Sequence, residues 1–235
     1  ATVRFGTATD TYDATGTVTA ETTFLPSRQE IEALLPRFVG RIMQAPPAYS
    51  ALKRGGEPSY RRARRGEAVE QIPRPVQIYD IVLRSWLPPD LVIDVLCGKG
   101  TYIRSLAHDL GLALGSAAHL AALERRAVGH FTIDEALRMD EMETAIGEGQ
   151  WQGLLHPIDE ALLQYPALVV SRQAVTRILH GQSIDLTTAG APSACPPAAG
   201  SLCRAYTPDG EFIAILERHA PTGAWRPAKV FAPCA

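Results

Sequence analysis

The sequence is poor in several things, and each shortage narrows the reading. Its 235 residues hold four cysteines, Cys97, Cys195, Cys203 and Cys234. None stands in a C-x-x-C pair, and no histidine pair lies near them at metal-ligand spacing. That argues against a structural zinc site and against a disulfide framework, and fits scattered reduced thiols. No apolar run approaches the roughly 20 residues that span a bilayer, and no signal peptide is visible. Basic residues are not in excess. The formal net charge is −2, which excludes a globally basic nucleic-acid binder but leaves a local basic patch open. The hydrolase signatures G-x-S-x-G and H-E-x-x-H are missing, as are a Cys/His nucleophile pattern and the spacing of a P-loop.

What is present is enough for a packed core: 46% of residues are hydrophobic and 20% charged, the balance of a folded chain rather than a disordered one. Thr2–Phe5 and the β-branched run Thr17–Thr23 read as strands on either side of a Thr/Asp/Gly-rich turn, together a hairpin or meander. Ser27 and Glu30 form a capping box, and Ile31, Leu34, Leu35 and Phe38 follow at helical spacing until Gly40. A short helix is expected over Ser59–Arg65. Strands are expected over Val76–Trp86 and Leu91–Cys97, and a helix from Thr101 with Ile103, Leu106, Ala107, Leu110 and Leu114 on its apolar face. Ser116 is placed to cap a further helix running to Arg125, with Leu120 and Leu123 inward, and His108 and His119 read as partly exposed helix residues. A strand-then-helix passage is expected to start over Phe131–Leu137. From Leu163 the character changes to short strands and one helix, which suggests a small β-rich second domain.

Three groups of residues can carry chemistry. Lys53, Arg54, Arg61, Arg62, Arg64, Arg65 and Arg74 crowd into a segment with few acids. Arg61, Arg64 and Arg65 share a helical face, and Tyr60 beside them can stack on a base. Arginine forks suit phosphate, so the cluster reads either as an RNA-backbone contact or as a solvated charged face. Gly98-Lys99-Gly100-Thr101, between a strand and a helix, lets backbone approach a ligand closely, or is simply a tight connection. Arg125, expected at a helix end, either complements the helix dipole or reaches a carboxylate or phosphate in a cleft.

The order of these segments resembles the TruB-type tRNA pseudouridine synthases. Thr9-Asp10-Thr11-Tyr12-Asp13-Ala14-Thr15-Gly16 resembles the family's T-D-T-x-D-x-x-G turn. Pro47-Ala48-Tyr49-Ser50-Ala51-Leu52-Lys53 with Gly56 resembles P-x-Y-S-A-L-K-x-x-G. Tyr60, Ala63, Arg64 and Gly66 match Y-x-x-A-R-x-G, and Cys97–Arg104 matches the block ending G-T-Y-I-R. Leu123, Arg125 and Gly129 match L-x-R-x-x-x-G, and Leu155–Asp159 the stretch before the last domain. Ser59 and Arg61 replace the usual Leu and Glu around Tyr60.

The resemblance implies an α+β fold: a mixed, mostly antiparallel sheet with flanking helices, plus a small β-rich PUA-like C-terminal domain. It implies a catalytic domain over residues 1–162 and an RNA-binding domain over 163–235. The implied substrate is the T-stem-loop of tRNA, whose uridine at position 55 is flipped out, attacked by an aspartate, detached, rotated and rejoined through a carbon–carbon bond. No metal and no organic cofactor is implied, and a cytoplasmic monomer is expected. Arg125 would orient the catalytic aspartate. Lys99 and Tyr102 would line the uridine pocket. Lys53, Tyr60 and Arg64 would belong to the insertion that grips the RNA.

One element of the family is missing. Its nucleophile lies in G-x-x-D-P-x-A-T-G, upstream of the T-D-T turn, and no such motif occurs here. Asp13-Ala14-Thr15-Gly16 is a decoy, since the family places the Asp three residues before the Ala, where this chain has Thr11. The sequence opens without Met in what reads as a strand. The expectation is therefore a chain whose catalytic aspartate lies outside it and which binds tRNA without turnover. The alternatives are a purely RNA-binding protein and a small-molecule enzyme with an incidental arginine cluster.

Overall fold

The computed structural model describes residues 1–50, 53–54, 57–65, 67, 71–185, 200–219 and 222–231, and of Lys53, Arg54, Pro58, Tyr60, Ala63 and Arg64 it describes the backbone alone. Contacts divide the chain into two compact units, Ala1–Arg125 and Arg126–Ala235.

The first unit contains β1 (Thr2–Phe5), β2 (Thr7–Thr9), β3 (Val18–Glu21), α1 (Arg28–Leu34), β4 (Gly40–Gln44), β5 (Lys53–Arg54), β6 (Glu57–Pro58), α2 (Ser59–Arg64), β7 (Arg74–Leu87), β8 (Asp90–Cys97), α3 (Ile103–Ala113) and β9 (Ala118–Ala122). Five of the strands form one sheet in the order β4-β7-β8-β1-β9, and every neighbouring pair in it is antiparallel. Alternation along the strands puts Val3, Phe5, Ile78, Leu91 and Ile93 on one face. The apolar stripes of α1 (Ile31, Leu34) and α3 (Leu106, Ala107, Leu110) join them in one buried cluster. Removing such side chains from water is worth about 1.5–3 kcal/mol each, so this cluster fixes how α3 lies on the sheet.

Several expectations hold. The capping box is formed, with Glu30 N–H donating to Ser27 Oγ at 3.2 Å and Ser27 N–H donating to Glu30 Oε2 at 2.7 Å. The long strands and α3 lie where periodicity placed them.

Others are corrected. No helix follows Ser116: residues Ala118–Ala122 are the edge strand β9. Its alternation of small and apolar residues also satisfies a short helical pattern, and pairing with β1 decides for strand. His119 is accordingly a buried strand residue whose Nδ1 lies 2.8 Å from the Thr7 carbonyl, and Leu123 is exposed. Arg125 follows a strand, so no helix dipole acts on it. The N-terminal hairpin is β2–β3, not β1 with the later run, because Gly6 turns the chain between sheets and β1 pairs with β8 and β9. Strand β4 carries no strand signal strong enough to read, and β7 recruits it.

The second unit contains β10 (Ala127–Val128), β11 (Phe131–Thr132), α4 (Met139–Gly147), β12 (Ala167–Val169), α5 (Arg172–Leu179), β13 (Leu202–Tyr206), β14 (Phe212–Arg218) and β15 (Trp225–Val230). The strand-then-helix passage that starts at Phe131 is β11, a 3-10 turn over Ile133–Glu135 and then α4. Strands β12-β13-β14-β15 form a four-stranded sheet in that order, with β12–β13 parallel and the rest antiparallel. Leu168, Ile178, Ile213, Leu216 and Trp225 bury its own core. The C-terminal part is thus β-rich.

Candidate functional site

The motif residues of the first unit meet around the N-terminal half of α3. Tyr102 is its N-cap residue and offers no side-chain cap. Gln44, at the end of β4, holds the backbone of that residue: its Oε1 accepts the Tyr102 N–H at 2.8 Å. Ser105 Oγ donates to the Ala45 carbonyl at 2.7 Å. One stripe of α3, Tyr102 and Ser105, is thereby clamped to the end of β4.

A second stripe, Arg104 and His108 at i and i+4, faces the T-D-T turn. Arg104 Nη1 donates to Asp13 Oδ2 at 3.0 Å, and Nη2 donates to the Tyr49 carbonyl at 3.0 Å. One guanidinium thus joins the turn, the P-x-Y-S segment and the helix. Tyr49 Oη reaches Asp10 Oδ2 at 3.3 Å, closing the triangle. His108 stacks on Tyr12 with ring centroids 3.9 Å apart and planes 10° from parallel. Tyr12 sits at φ +63°, a conformation unfavourable for a bulky residue, and the stack helps to hold it there.

The turn explains its own sequence. Thr11 Oγ1, Thr15 Oγ1 and the Thr15 N–H all donate to Asp13 Oδ1, at 2.8, 2.7 and 3.0 Å. Asp10 Oδ1 accepts the Thr17 N–H at 2.8 Å. A Cβ at Gly16 would lie 2.2 Å from Thr11 Oγ1 and 2.5 Å from Asp10 Oδ1, so that position excludes a side chain. Burial pushes the Asp13 carboxyl up, but the hydrogen bonds from Thr15 and Thr11 and the Arg104 charge outweigh it and hold the group below its ordinary value. Asp13 is an ionised and fully engaged carboxylate, a clamp rather than a free nucleophile.

Two neighbours on α3 feel burial alone. It lowers the His108 imidazole from its usual value and raises the Asp109 carboxyl to about 6. A groove lined by Glu30, Leu34, Arg37 and Leu114 lies at the other end of α3 and contains no motif residue.

The sequence-based site residues fall into three sets. Tyr102 lies in the hub, and Lys99 is exposed in the turn before it. Arg125 is exposed beyond β9 and is not part of the hub. Lys53 lies in β5, and Tyr60 and Arg64 in α2; their side chains are outside the described residues. Near them Arg65 is bound to Glu57 at 2.6 Å and to Glu67 at 2.6 Å, and Arg62 to Glu67 at 3.0 Å. Part of the arginine cluster is therefore neutralised locally. Sequence reasoning assigned no role to Arg104, Gln44 or His108. The i,i+4 spacing of Arg104 and His108 was a readable signal; the role of Gln44 was not. Among the described residues no group of three or more His, Cys, Asp or Glu side chains can hold a metal ion, and no helix is long and apolar enough to cross a membrane.

The segments that converge here are those matched by known families. The model described as TruB family pseudouridylate synthase, N-terminal domain, matches residues 1–103, and that described as tRNA pseudouridylate synthase B C-terminal domain matches residues 104–163. The chain belongs to the TruB family of pseudouridine synthases. It is 38% identical over 230 residues to a tRNA pseudouridine synthase B of Dehalococcoides mccartyi, covering 97% of this chain and 74% of that protein. It is 40% identical over 216 residues to the protein of the same name from Burkholderia mallei, covering 92% and 70%. Among solved structures it resembles a chain of a Cbf5-Nop10-Gar1 complex, with TM-score 0.70 at 23% identity over 99% of this chain. It also resembles one in an H/ACA RNP bound to a substrate RNA containing 2'-deoxyuridine, with TM-score 0.68 at 21% identity. It spans 66% and 65% of those two chains, and at such identity the likeness concerns the fold. The hub of α3 brings together, at one helix end, segments that lie within the two matched family domains.

Proposed function

We propose that this chain engages the T-stem-loop of tRNA and serves an enzyme that isomerises the uridine at position 55 to pseudouridine, in the cytoplasm and as a monomer, without metal or organic cofactor. The observation that carries the reading to particular residues is the convergence of the T-D-T turn, the P-x-Y-S segment and the G-T-Y-I-R block on the first turns of α3. The relatives named tRNA pseudouridine synthase B support the substrate class.

A uridine inside a loop is unstacked and flipped before chemistry, at a cost of a few kcal/mol. Lys99 and Tyr102 line the pocket that receives it. Lys53, Tyr60 and Arg64 grip the RNA on the β5–α2 insertion. A carboxylate then makes the covalent adduct, and a guanidinium keeps that carboxylate ionised. Arg125 is the residue the resemblance assigns to that task. Arg104 is the stronger assignment on geometry, because it stands two residues from Tyr102 and is already directed at a carboxylate. Residues 1–162 form the catalytic domain and 163–235 a PUA-like RNA-binding domain.

The 235 residues contain no G-x-x-D-P-x-A-T-G, and Asp13 is engaged, so the nucleophile comes from outside this sequence. The purified chain is expected to bind tRNA, with affinity falling steeply as salt rises, and to form no pseudouridine. Pseudouridine at position 55 after incubation with the chain alone refutes the nucleophile assignment. Failure to bind tRNA at low salt refutes the RNA reading and favours a small-molecule enzyme.

A further inference from the structure

One stripe of α3 reaches both ends of the segment that carries β5, β6 and α2. At the entry, Arg104 Nη2 donates to the Tyr49 carbonyl at 3.0 Å. At the exit, the Tyr12 hydroxyl donates to Gln71 Oε1 at 3.4 Å. The Tyr12 ring is stacked on His108, one turn along α3 from Arg104. The T-D-T turn closes the arrangement, because Asp13, next to Tyr12, accepts from the other arm of the same guanidinium. The ion pairs of Arg65 with Glu57 and Glu67, and of Arg62 with Glu67, tie the segment to itself. Tyr12 stands at a costly place. Among the described residues it is the one non-glycine at positive φ, where Gly, Asn or Asp sits with less strain. Its backbone is held from both sides: its N–H donates to the Thr9 carbonyl at 3.2 Å, and its carbonyl accepts the Leu120 N–H at 2.9 Å. The bonds that Thr11 and Thr15 make to Asp13 use nothing of the Tyr12 side chain. A bulky ring kept at a strained position points to a use for the ring, and its two partners are His108 and Gln71. His108 serves as an aromatic surface. Burial lowers its imidazole from the usual value, so it meets Tyr12 as an uncharged ring at neutral pH.

We infer that Tyr12 is a positioning residue for RNA binding: with its ring on His108 and its hydroxyl on Gln71 it pins the exit of the β5–α2 insertion, as Arg104 pins the entry, and so presets the insertion that closes on the tRNA stem-loop. This rests on the reading of that insertion as the RNA grip. Tyr12 acts through the insertion and contacts no RNA itself. A grip whose two ends are fixed loses less freedom on binding, so the pinning is read out as affinity.

The test uses the full chain and a T-stem-loop RNA, with affinity, thermal melting and hydrogen exchange over residues 57–65 measured in parallel. Arg64→Ala tests the reading of the insertion. If it leaves affinity unchanged, the insertion is not the grip and the inference fails with that reading. If Arg64→Ala weakens binding, the Tyr12 variants decide. Tyr12→Asn tolerates the left-handed backbone and removes both the stack and the hydroxyl; it is expected to lose roughly tenfold in affinity. Tyr12→Phe keeps the stack and removes one long hydrogen bond, for a loss of about threefold, so the conservative variant rescues part of the effect. Gln71→Leu is expected to lose the same factor, and the double variant Tyr12→Phe with Gln71→Leu no more than either alone. Exchange over residues 57–65 is expected to quicken in all of them while β1 and β9 stay protected, a pattern that general destabilisation of the hub does not give. If cooperatively folded Tyr12→Asn binds as the unaltered chain does, the inference is overturned. Should Tyr12→Asn fail to fold, the milder pair decides: losses from Tyr12→Phe and Gln71→Leu that are absent, or that simply add, overturn it as well.

Discussion

Each unit of the molecule contains a half-buried arginine–aspartate contact with a tyrosine nearby, and the two are built for different ends. In the first unit Arg104 and Asp13 are separated by 91 residues in sequence and paired at 3.0 Å, with side chains 27% and 22% exposed. Threonine donors surround the carboxylate, which is held ionised. In the second unit Arg204, 11% exposed on its side chain, lies 3.5 Å from Asp159. There Tyr206 intervenes: its hydroxyl donates to Asp159 Oδ2 and accepts from Arg204 Nη1 at 2.7 Å. Arg204 Nε also holds the Tyr165 carbonyl at 3.0 Å. Burial and the bond to Asp159 push the Tyr206 hydroxyl up to about 12. One network preserves a charge at a place where three motif segments meet. The other locks a proton between residues of one sheet and the strand of chain leading to it. The first is a scaffold that ties the motif segments together, the second a latch within its own unit.

The largest expected effect that breaks this contrast is Gly111→Ala. A Cβ there would lie 2.6 Å from the Ala118 nitrogen and 2.8 Å from its Cβ, forcing α3 away from β9. The Asp13 turn is seated on β9 through Leu120, whose N–H donates to the Tyr12 carbonyl at 2.9 Å. A loss of about 3 kcal/mol is expected from overpacking against backbone. Hydrogen exchange is expected to quicken in β1 and β9 and stay slow in β13 and β14; equal loss in both units contradicts their separate cores. Next comes Arg104→Met. It strands a half-buried carboxylate and frees the Tyr49 carbonyl, at a cost of roughly 2 kcal/mol in urea unfolding, below the value for a fully buried pair because both partners keep some solvent. It also weakens tRNA binding, whereas Tyr206→Phe, costing about 1 kcal/mol, leaves binding of an isolated stem-loop unchanged. If Tyr206→Phe impairs stem-loop binding as much as Arg104→Met does, the division between scaffold and latch is wrong.

The pH dependence sharpens the comparison further. Asp13 has a folded-state value below its unfolded one, so its stabilisation is present above pH 4 and is lost as pH falls further. Tyr206 is raised, so its contribution is full below about pH 10 and is lost as pH rises toward about 12. Acid melts are therefore expected to loosen the first unit's hub, and alkaline melts the second unit's latch. The smallest effect belongs to Asp109, raised to about 6 by burial. Its ionised form is disfavoured in the fold, so stability declines from about pH 4 through pH 6. Asp109→Asn is expected to stabilise the protein at pH 7 by on the order of 1 kcal/mol, discounted for its partial exposure. The gain should vanish below pH 4; a gain that persists there points to packing instead.

Local physics made much of this legible. The capping box, the apolar stripe of α3 and the long alternating strands are written in short-range spacing, and the ordered motifs identified the family before any contact was known. The error at Ala118–Ala122 has a definite cause. Ala-His-Leu-Ala-Ala satisfies a helix as well as an edge strand, and only the partner β1 chooses. Arg125 owes its assignment to the L-x-R-x-x-x-G match, which says nothing of which side chains meet, and Arg104 reads as one more letter of a motif until its contacts are known.

The sequence by itself determined the family, the long strands, α1, α3 and the turn around Asp13, because those depend on residues a few positions apart. The tertiary structure alone decided that Arg104 would meet Asp13 and Tyr49 and that Gln44 would accept the Tyr102 N–H. These facts depend on how β4, β9 and α3 are laid against one sheet. Periodicity marks which face of an element is buried, but not which polar groups of different elements are buried against one another.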